Sequence, residues 1–103
     1  MTRVAIFAAT AAIMLSSTAY AGEIRQRQER QHARIRRGVE SGALTQKEAT
    51  TLNVEQRAIG RDRKAASADG SINRAERVQL TQEQNQASRD IYRLKHNQRT
   101  ANQ

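Results

Sequence analysis

An eight-residue segment occurs twice in this chain, and the repeat determines where the chain can turn. Residues 41–48 read SGALTQKE, and residues 69–76, which lie 28 positions later, read DGSINRAE. The same register continues at five further pairs of positions: Leu52 and Leu80, Glu55 and Glu83, Gln56 and Gln84, Arg61 and Arg89, and Asp62 and Asp90. A repeat of this kind indicates two copies of one small structural unit. We therefore expect one turn, followed by the start of a helix, in each copy.

Each copy carries residues that end one helix and start the next. Gly42 and Gly70 suit the left-handed backbone conformation that often follows the last turn of a helix. Thr45 and Glu48 are three residues apart, which is typical of a capping box, and the second copy has an asparagine and a glutamate at the same spacing. The turns can therefore form through backbone and side-chain hydrogen bonds, without a ligand.

The rest of the chain favours helices. It contains no proline and is rich in glutamine, arginine and alanine. We predict an all-α fold with helices over residues 23–40, 46–66 and 74–97, joined by the two Gly-containing capped turns. Residues at three-and-four spacing define one face of the first and third helices: Ile24, Gln28, Gln31, Ile35 and Val39, and Leu80, Gln84, Ala87, Ile91 and Leu94. Because these stripes are narrow, we expect self-association or a protein partner.

The first 21 residues have the features of a cleaved signal peptide. Arg3 precedes an apolar run over residues 4–15, and residues 19–21 read Ala-Tyr-Ala, a pattern that signal peptidases recognise. We expect cleavage after Ala21 and a periplasmic or secreted protein, with residues 22–103 forming a single small helical domain. The alternative is an uncleaved membrane anchor, although the apolar run is short for a membrane span.

Residues that could carry out catalysis are sparse. The chain has no cysteine, which excludes disulfide bonds and thiolate metal ligands. His32 and His96 are far apart in sequence, and neither lies near a carboxylate and a nucleophile at a spacing typical of a catalytic triad or a zinc site. We therefore predict that the protein is not an enzyme and has no catalytic or cofactor-binding residues.

The chain has a formal net charge of +8, and its arginines are concentrated in the first predicted helix. Arginine suits phosphates and carboxylates, so this helix is a candidate for binding an anionic envelope surface or an acidic partner. The candidate residues are Arg25, Arg27, Arg30, Arg34, Arg36 and Arg37. A solvated surface that only keeps the protein soluble is the alternative. No nucleic-acid-binding motif is present, so we do not expect nucleic acid as a partner.

The second copy of the repeat resembles the second half of an EF-hand loop. The resemblance implies calcium ligands at Asp69, Asn73 and Glu76, around a central glycine. The first half of such a loop has no counterpart here, because Ala65 and Ser67 occupy the positions of the first two oxygen ligands. Helix capping by the same residues, with no bound metal ion, is the alternative interpretation.

A third motif lies at residues 80–84, which read LTQEQ, and residues 44–48 are a near match with LTQKE. The first of these segments resembles the LTxxQ motif of the Spy-like periplasmic chaperones, which are small, helical, basic and exported. This resemblance implies a cradle that binds unfolded client proteins.

A longer resemblance covers residues 34–48, 69–76 and 88–97. These segments are similar to those of a group of small exported helical bacterial proteins, with the pattern RI-x-x-GV-x-SG-x-LT-x-x-E, then DG-x-I-x-x-x-E, then SR-x-IY-x-x-KHN. This resemblance implies export and a compact helical unit, and it implies no activity. We therefore expect a structural or interaction module of the cell envelope, with a Spy-like chaperone or a weak calcium-binding protein as alternatives.

Overall fold

The chain folds into three helices. The computed structural model describes the backbone of residues 2–97 and the side chains of residues 20–97. Helix α1 is Thr2–Ser41, α2 is Gln46–Ala66 and α3 is Arg74–Lys95, and no strand occurs within residues 2–97. The predicted all-α fold with three helices is therefore confirmed. Helix α1 starts well before the predicted residue 23, and α3 ends two residues before the predicted residue 97.

The predicted signal segment falls largely outside the described side chains. The backbone of its apolar run, residues 4–15, belongs to α1, and the structure describes side chains from Tyr20 onwards. Over the part of the chain that the structure describes, none of the helices has the length and apolar character needed to cross a bilayer.

The three helices form a bundle in which each helix packs against the other two. Four residues connect α1 to α2, and seven residues connect α2 to α3. Connections this short make consecutive helices antiparallel neighbours. As a result, α1 and α3 run in the same direction, and α2 runs in the opposite one.

The first corner, residues 42–45, ends α1 and starts α2. Gly42 has φ of +80°, a left-handed conformation that glycine adopts without a steric penalty. The N–H of Leu44 donates to the Gly38 carbonyl at 3.0 Å, which brings the chain back against the end of α1. The N–H of Glu48 donates to Thr45 Oγ1 at 3.1 Å, and the N–H of Thr45 donates to Glu48 Oε1 at 3.0 Å. This reciprocal capping box fixes the first turn of α2.

The second corner, residues 67–73, has the same arrangement. Gly70 has φ of +92°. The N–H of Glu76 donates to Asn73 Oδ1 at 2.8 Å, and the N–H of Asn73 donates to Glu76 Oε1 at 3.0 Å. Asp69 Oδ1 accepts a hydrogen bond from the N–H of Ser71 at 3.2 Å. The two copies of the repeat therefore begin helices through equivalent hydrogen bonds.

The apolar core consists of two clusters, one near each corner. The cluster near the first corner contains Ile35, Leu44, Ala49, Leu52 and Ile91, with Val39 and Leu94 packed against it. The cluster near the second corner contains Ile24, Ala66, Ile72 and Leu80, with Ala21 packed against it. Outside the two clusters, the buried side chains include four glutamines as well as Ile59 and Ala87.

Candidate functional site

A layer of four glutamines occupies the centre of the bundle, and we call it the glutamine layer. Its members are Gln28 and Gln31 on α1, Gln56 on α2 and Gln84 on α3. All four side chains are buried, and Gln31 and Gln56 are each only 1% exposed. Burying an amide is unfavourable unless its polar atoms form hydrogen bonds, so the arrangement of these bonds determines whether the layer stabilises the fold.

The amide groups of the glutamine layer bond mainly to main-chain carbonyls of neighbouring helices. Gln28 Nε2 donates to the carbonyl of Gln56 at 2.8 Å, and Gln31 Nε2 donates to the carbonyl of Gln84 at 2.8 Å. Gln84 Nε2 donates to the carbonyl of Ile24 at 2.7 Å. Gln56 Nε2 donates to Gln31 Oε1 at 2.9 Å. Because these bonds join specific positions on different helices, the layer fixes how the helices align along their lengths.

The glutamine layer also shows that the repeat extends into α1. Gln28, Gln56 and Gln84 are successive 28-residue equivalents. Each of these glutamines lies four positions after a buried aliphatic residue. These aliphatic residues are Ile24, Leu52 and Leu80. A spacing of four places both residues on one face of a helix. Sequence reasoning found two copies of the repeat and missed this third one, although the 28-residue spacing of the glutamines was a signal for it.

Two pairs of carboxyl groups lie between α2 and α3, and we call them the carboxyl pairs. Glu55 faces Asp90, and Asp62 faces Glu83. Glu55 and Glu83 are repeat equivalents, as are Asp62 and Asp90, so the two pairs follow from the antiparallel packing of two equivalent helices. Sequence analysis recorded these residues only as matching positions in the repeat and did not predict the pairs.

The environment of Glu55 favours its protonated form. The pKa of Glu55 is raised to about 7, first by burial and then by the hydrogen bond and negative charge of Asp90, while Arg93 opposes the shift. Burial alone would raise the pKa of Asp90, but hydrogen bonds from Glu55, Gln86 and Arg93 bring it below its usual value. Below about pH 7 the pair therefore holds a proton on Glu55, while Asp90 carries the negative charge.

Glu83 behaves similarly at the other pair. Burial raises the pKa of Glu83, and a hydrogen bond with Asp62 adds to the effect, although a hydrogen bond from Gln79 opposes it. Glu83 Oε2 is buried and, like Glu55 Oε1, has no hydrogen-bond partner among the described residues. A proton shared between two carboxyl groups would satisfy an oxygen of this kind. We conclude that each pair can act as a proton-binding site.

The six arginines singled out in the sequence fall into two groups. Arg27 and Arg34 are partly buried and point towards α3, where Arg27 Nη2 donates to Ser88 Oγ at 3.4 Å and Arg34 Nη2 donates to the Ser88 carbonyl at 3.5 Å. Burial, together with repulsion from Arg30 and Arg34, lowers the pKa of Arg27. The remaining four are exposed: Arg25, Arg30, Arg36 and Arg37. We call these four the α1 arginine surface.

The predicted calcium ligands lie at the second corner. Asn73 and Glu76 each use a side-chain oxygen to cap α3. Asp69 Oδ1 accepts a hydrogen bond from the N–H of Ser71 within the turn. Within residues 2–97, no group of three or more histidine, aspartate or glutamate residues is arranged to hold a metal ion. The hydrogen bonds at this corner therefore account for the three residues as capping residues.

The chaperone-like motif at residues 80–84 lies inside α3. Leu80 is 1% exposed and Gln84 is 2% exposed, and both belong to the interior of the bundle. Leu80 packs in the second apolar cluster, and Gln84 belongs to the glutamine layer. Two of the three defining residues of the motif, Leu80 and Gln84, are therefore part of the interior of the bundle.

Comparison with known protein families, with curated proteins and with solved structures finds no match to this chain.

Proposed function

We propose that this chain is an exported, non-enzymatic interaction module of the cell envelope, and that it binds anionic surfaces through the α1 arginine surface. One observation carries the proposal: these four arginines are exposed on one helix, and within the described residues none of them forms an ion pair. Four exposed guanidinium groups on one helix attract anionic lipid headgroups and acidic polymers.

The positions of these arginines suit contact with an extended surface. Arg25 and Arg36 are eleven residues apart, which is about three helical turns, and Arg30 and Arg37 are seven residues apart, which is about two turns. Each pair therefore forms a ridge along α1. The buried positions Ile24, Gln28, Gln31 and Ile35 lie on a different side of the helix. The cationic residues can therefore meet a surface without disturbing the core.

Export is the second part of the proposal. The apolar run at residues 4–15 and the Ala-Tyr-Ala pattern support cleavage after Ala21. We expect the protein recovered from the periplasm or the medium to begin at Gly22, as measured by intact mass spectrometry. A recovered protein that retains Met1 would contradict cleavage and would favour the anchored alternative.

Vesicle binding tests the interaction with anionic surfaces. We expect the protein to co-sediment with vesicles that contain an anionic lipid and not with vesicles made only of a zwitterionic lipid. Replacing both Arg36 and Arg37 with glutamine should weaken binding roughly 30-fold, because each basic residue near an anionic membrane contributes about 1 kcal/mol and the residues are exposed. Binding should also weaken as salt is raised from about 0.05 M to 0.2 M.

A matched variant controls for net charge. Arg74 and Arg89 are exposed on α3, and their double replacement with glutamine changes the net charge by the same amount. This control should weaken vesicle binding less than twofold. If both double variants lose binding equally, the attraction depends on overall charge alone, and the α1 arginine surface is not the binding site.

A further inference from the structure

A basic groove lies between α1 and α2, outside the α1 arginine surface. Its volume is about 410 Å³. Five of its lining residues carry basic side chains: His32 from α1 and Arg57, Arg61, Arg63 and Lys64 from α2. No aspartate or glutamate lines it within the part of the chain that the structure describes. The groove therefore concentrates positive charge in a concave site.

One of these basic side chains is held in place by a buried residue. Arg63 Nε donates to Gln28 Oε1 at 3.2 Å, and Gln28, which is 7% exposed, is anchored in turn to the Gln56 carbonyl through its Nε2. The two Nη groups of Arg63 have no hydrogen-bond acceptor among the described residues. The glutamine layer thus orients a guanidinium group whose outer donors are available to a ligand.

A glycine keeps the floor of the groove open. Gly60 lies within α2 and lines the groove between the basic residues. A Cβ atom at this position would approach Gln28 Nε2 to 3.4 Å, which is an ordinary contact distance. The absence of a side chain at Gly60 leaves a bare stretch of helix backbone next to Gln28. A small ligand can therefore reach the groove floor.

The geometry points to a ligand that carries two or more phosphoryl groups. Arginine guanidinium groups bind phosphoryl oxygens through paired hydrogen bonds, and lysine adds a compact charge. A volume of about 410 Å³ exceeds the space that one phosphate needs and falls in the range of small-molecule sites. Four arginine and lysine residues close together also attract a multivalent anion more strongly than a monovalent one. We propose that this groove binds a diphosphate-type anion, either free in the envelope or displayed on a phosphorylated lipid.

Calorimetry with inorganic pyrophosphate tests the free form of the ligand. We expect one-to-one binding that Arg61→Gln weakens roughly tenfold, because hydrogen bonds to charged groups contribute strongly to affinity. Arg89→Gln is the matched control, since Arg89 is the 28-residue equivalent of Arg61 and is exposed on α3. It should change the affinity less than twofold. Citrate, which carries three carboxylates, should bind at least tenfold more weakly than pyrophosphate.

Vesicles that contain diacylglycerol pyrophosphate, a lipid whose headgroup is a diphosphate, test the lipid-bound form. If pyrophosphate does not bind, a selective loss of vesicle binding in Arg61→Gln, and not in Arg89→Gln, would assign the ligand to the membrane. Equal effects of the two variants in both assays, or equal affinity for citrate and pyrophosphate, would overturn the proposal. Because the groove uses different residues from the α1 arginine surface, Arg36→Gln with Arg37→Gln should leave pyrophosphate binding unchanged, and the two proposals can fail separately.

Discussion

Replacing Gln31 with alanine is expected to lower the free energy of unfolding by about 3 kcal/mol, the largest loss that we predict for a polar residue in this fold. The Gln31 side chain is 1% exposed. It donates to the Gln84 carbonyl and to Ser88 Oγ, both at 2.8 Å, and it accepts from Gln56 Nε2 at 2.9 Å. Alanine removes these three hydrogen bonds, leaves the Gln56 donor without its acceptor and creates a cavity. Urea unfolding followed by circular dichroism measures the loss.

Two further variants separate the causes of this loss. Gln26→Ala removes an exposed glutamine from the same helix and should change the free energy of unfolding by less than about 0.5 kcal/mol. Gln31→Met preserves the length of the side chain and removes the hydrogen bonds. We therefore expect it to lower the free energy of unfolding nearly as much as Gln31→Ala does. A methionine variant as stable as the original protein would show that the hydrogen bonds of Gln31 do not stabilise the fold.

The starts of α2 and α3 could be predicted from the sequence because their signals are local. The capping partners Thr45 and Glu48 lie within one helical turn of each other, and so do their equivalents at the second corner. The predicted starts at residues 46 and 74 coincide with those observed. The buried face of α1 was also predictable, because Ile24 and Ile35 stand at helical spacing around two glutamines that are buried as well.

The start of α1 and the third copy of the repeat were missed for related reasons. A glycine marks each corner in the sequence, and the equivalent position 28 residues before Gly42 is Met14, which lies within α1. Because no corner occurs there, the buried part of the repeat in α1 has no turn to mark it. The predicted start at residue 23 followed from the expected cleavage, whereas the uncleaved chain continues the helix from Thr2.

The carboxyl pairs and the basic groove depend on tertiary packing and could not be predicted. Glu55 and Asp90 are 35 positions apart in sequence, and so are Gln28 and Arg63. Two residues with this separation cannot contact each other within one helix. Only the antiparallel arrangement of neighbouring helices brings such residues together. The repeat nevertheless has a consequence for charge. When two equivalent helices pack antiparallel, the glutamate of each helix lies opposite the aspartate of the other, so one carboxyl pair implies the other.

The stability of the protein is expected to fall as the pH rises from about 4.5 to about 7. The pKa of Glu55 is raised from 4.5 to about 7 in the folded protein, so the folded state binds a proton more tightly than the unfolded state does. This contribution is fully present below the unfolded pKa and is lost as the pH rises through 7. The raised pKa of Glu83 acts in the same direction. Because both groups are only partly buried and solvent screens them, we expect a change on the order of 1 kcal/mol.

Glutamine substitutions test whether the carboxyl pairs are the source of this pH dependence. Glutamine resembles a protonated glutamate and can still donate to the facing aspartate, so Glu55→Gln combined with Glu83→Gln should flatten the stability profile between pH 4.5 and 7. Glu29→Gln, at an exposed position of α1, is the matched control and should leave the profile unchanged. Asp90 acts in the opposite sense, because its lowered pKa contributes stability that is lost only as the pH falls through that lower value. Urea unfolding at each pH gives the profile, and a slope that persists in the double variant would exclude the carboxyl pairs as its origin.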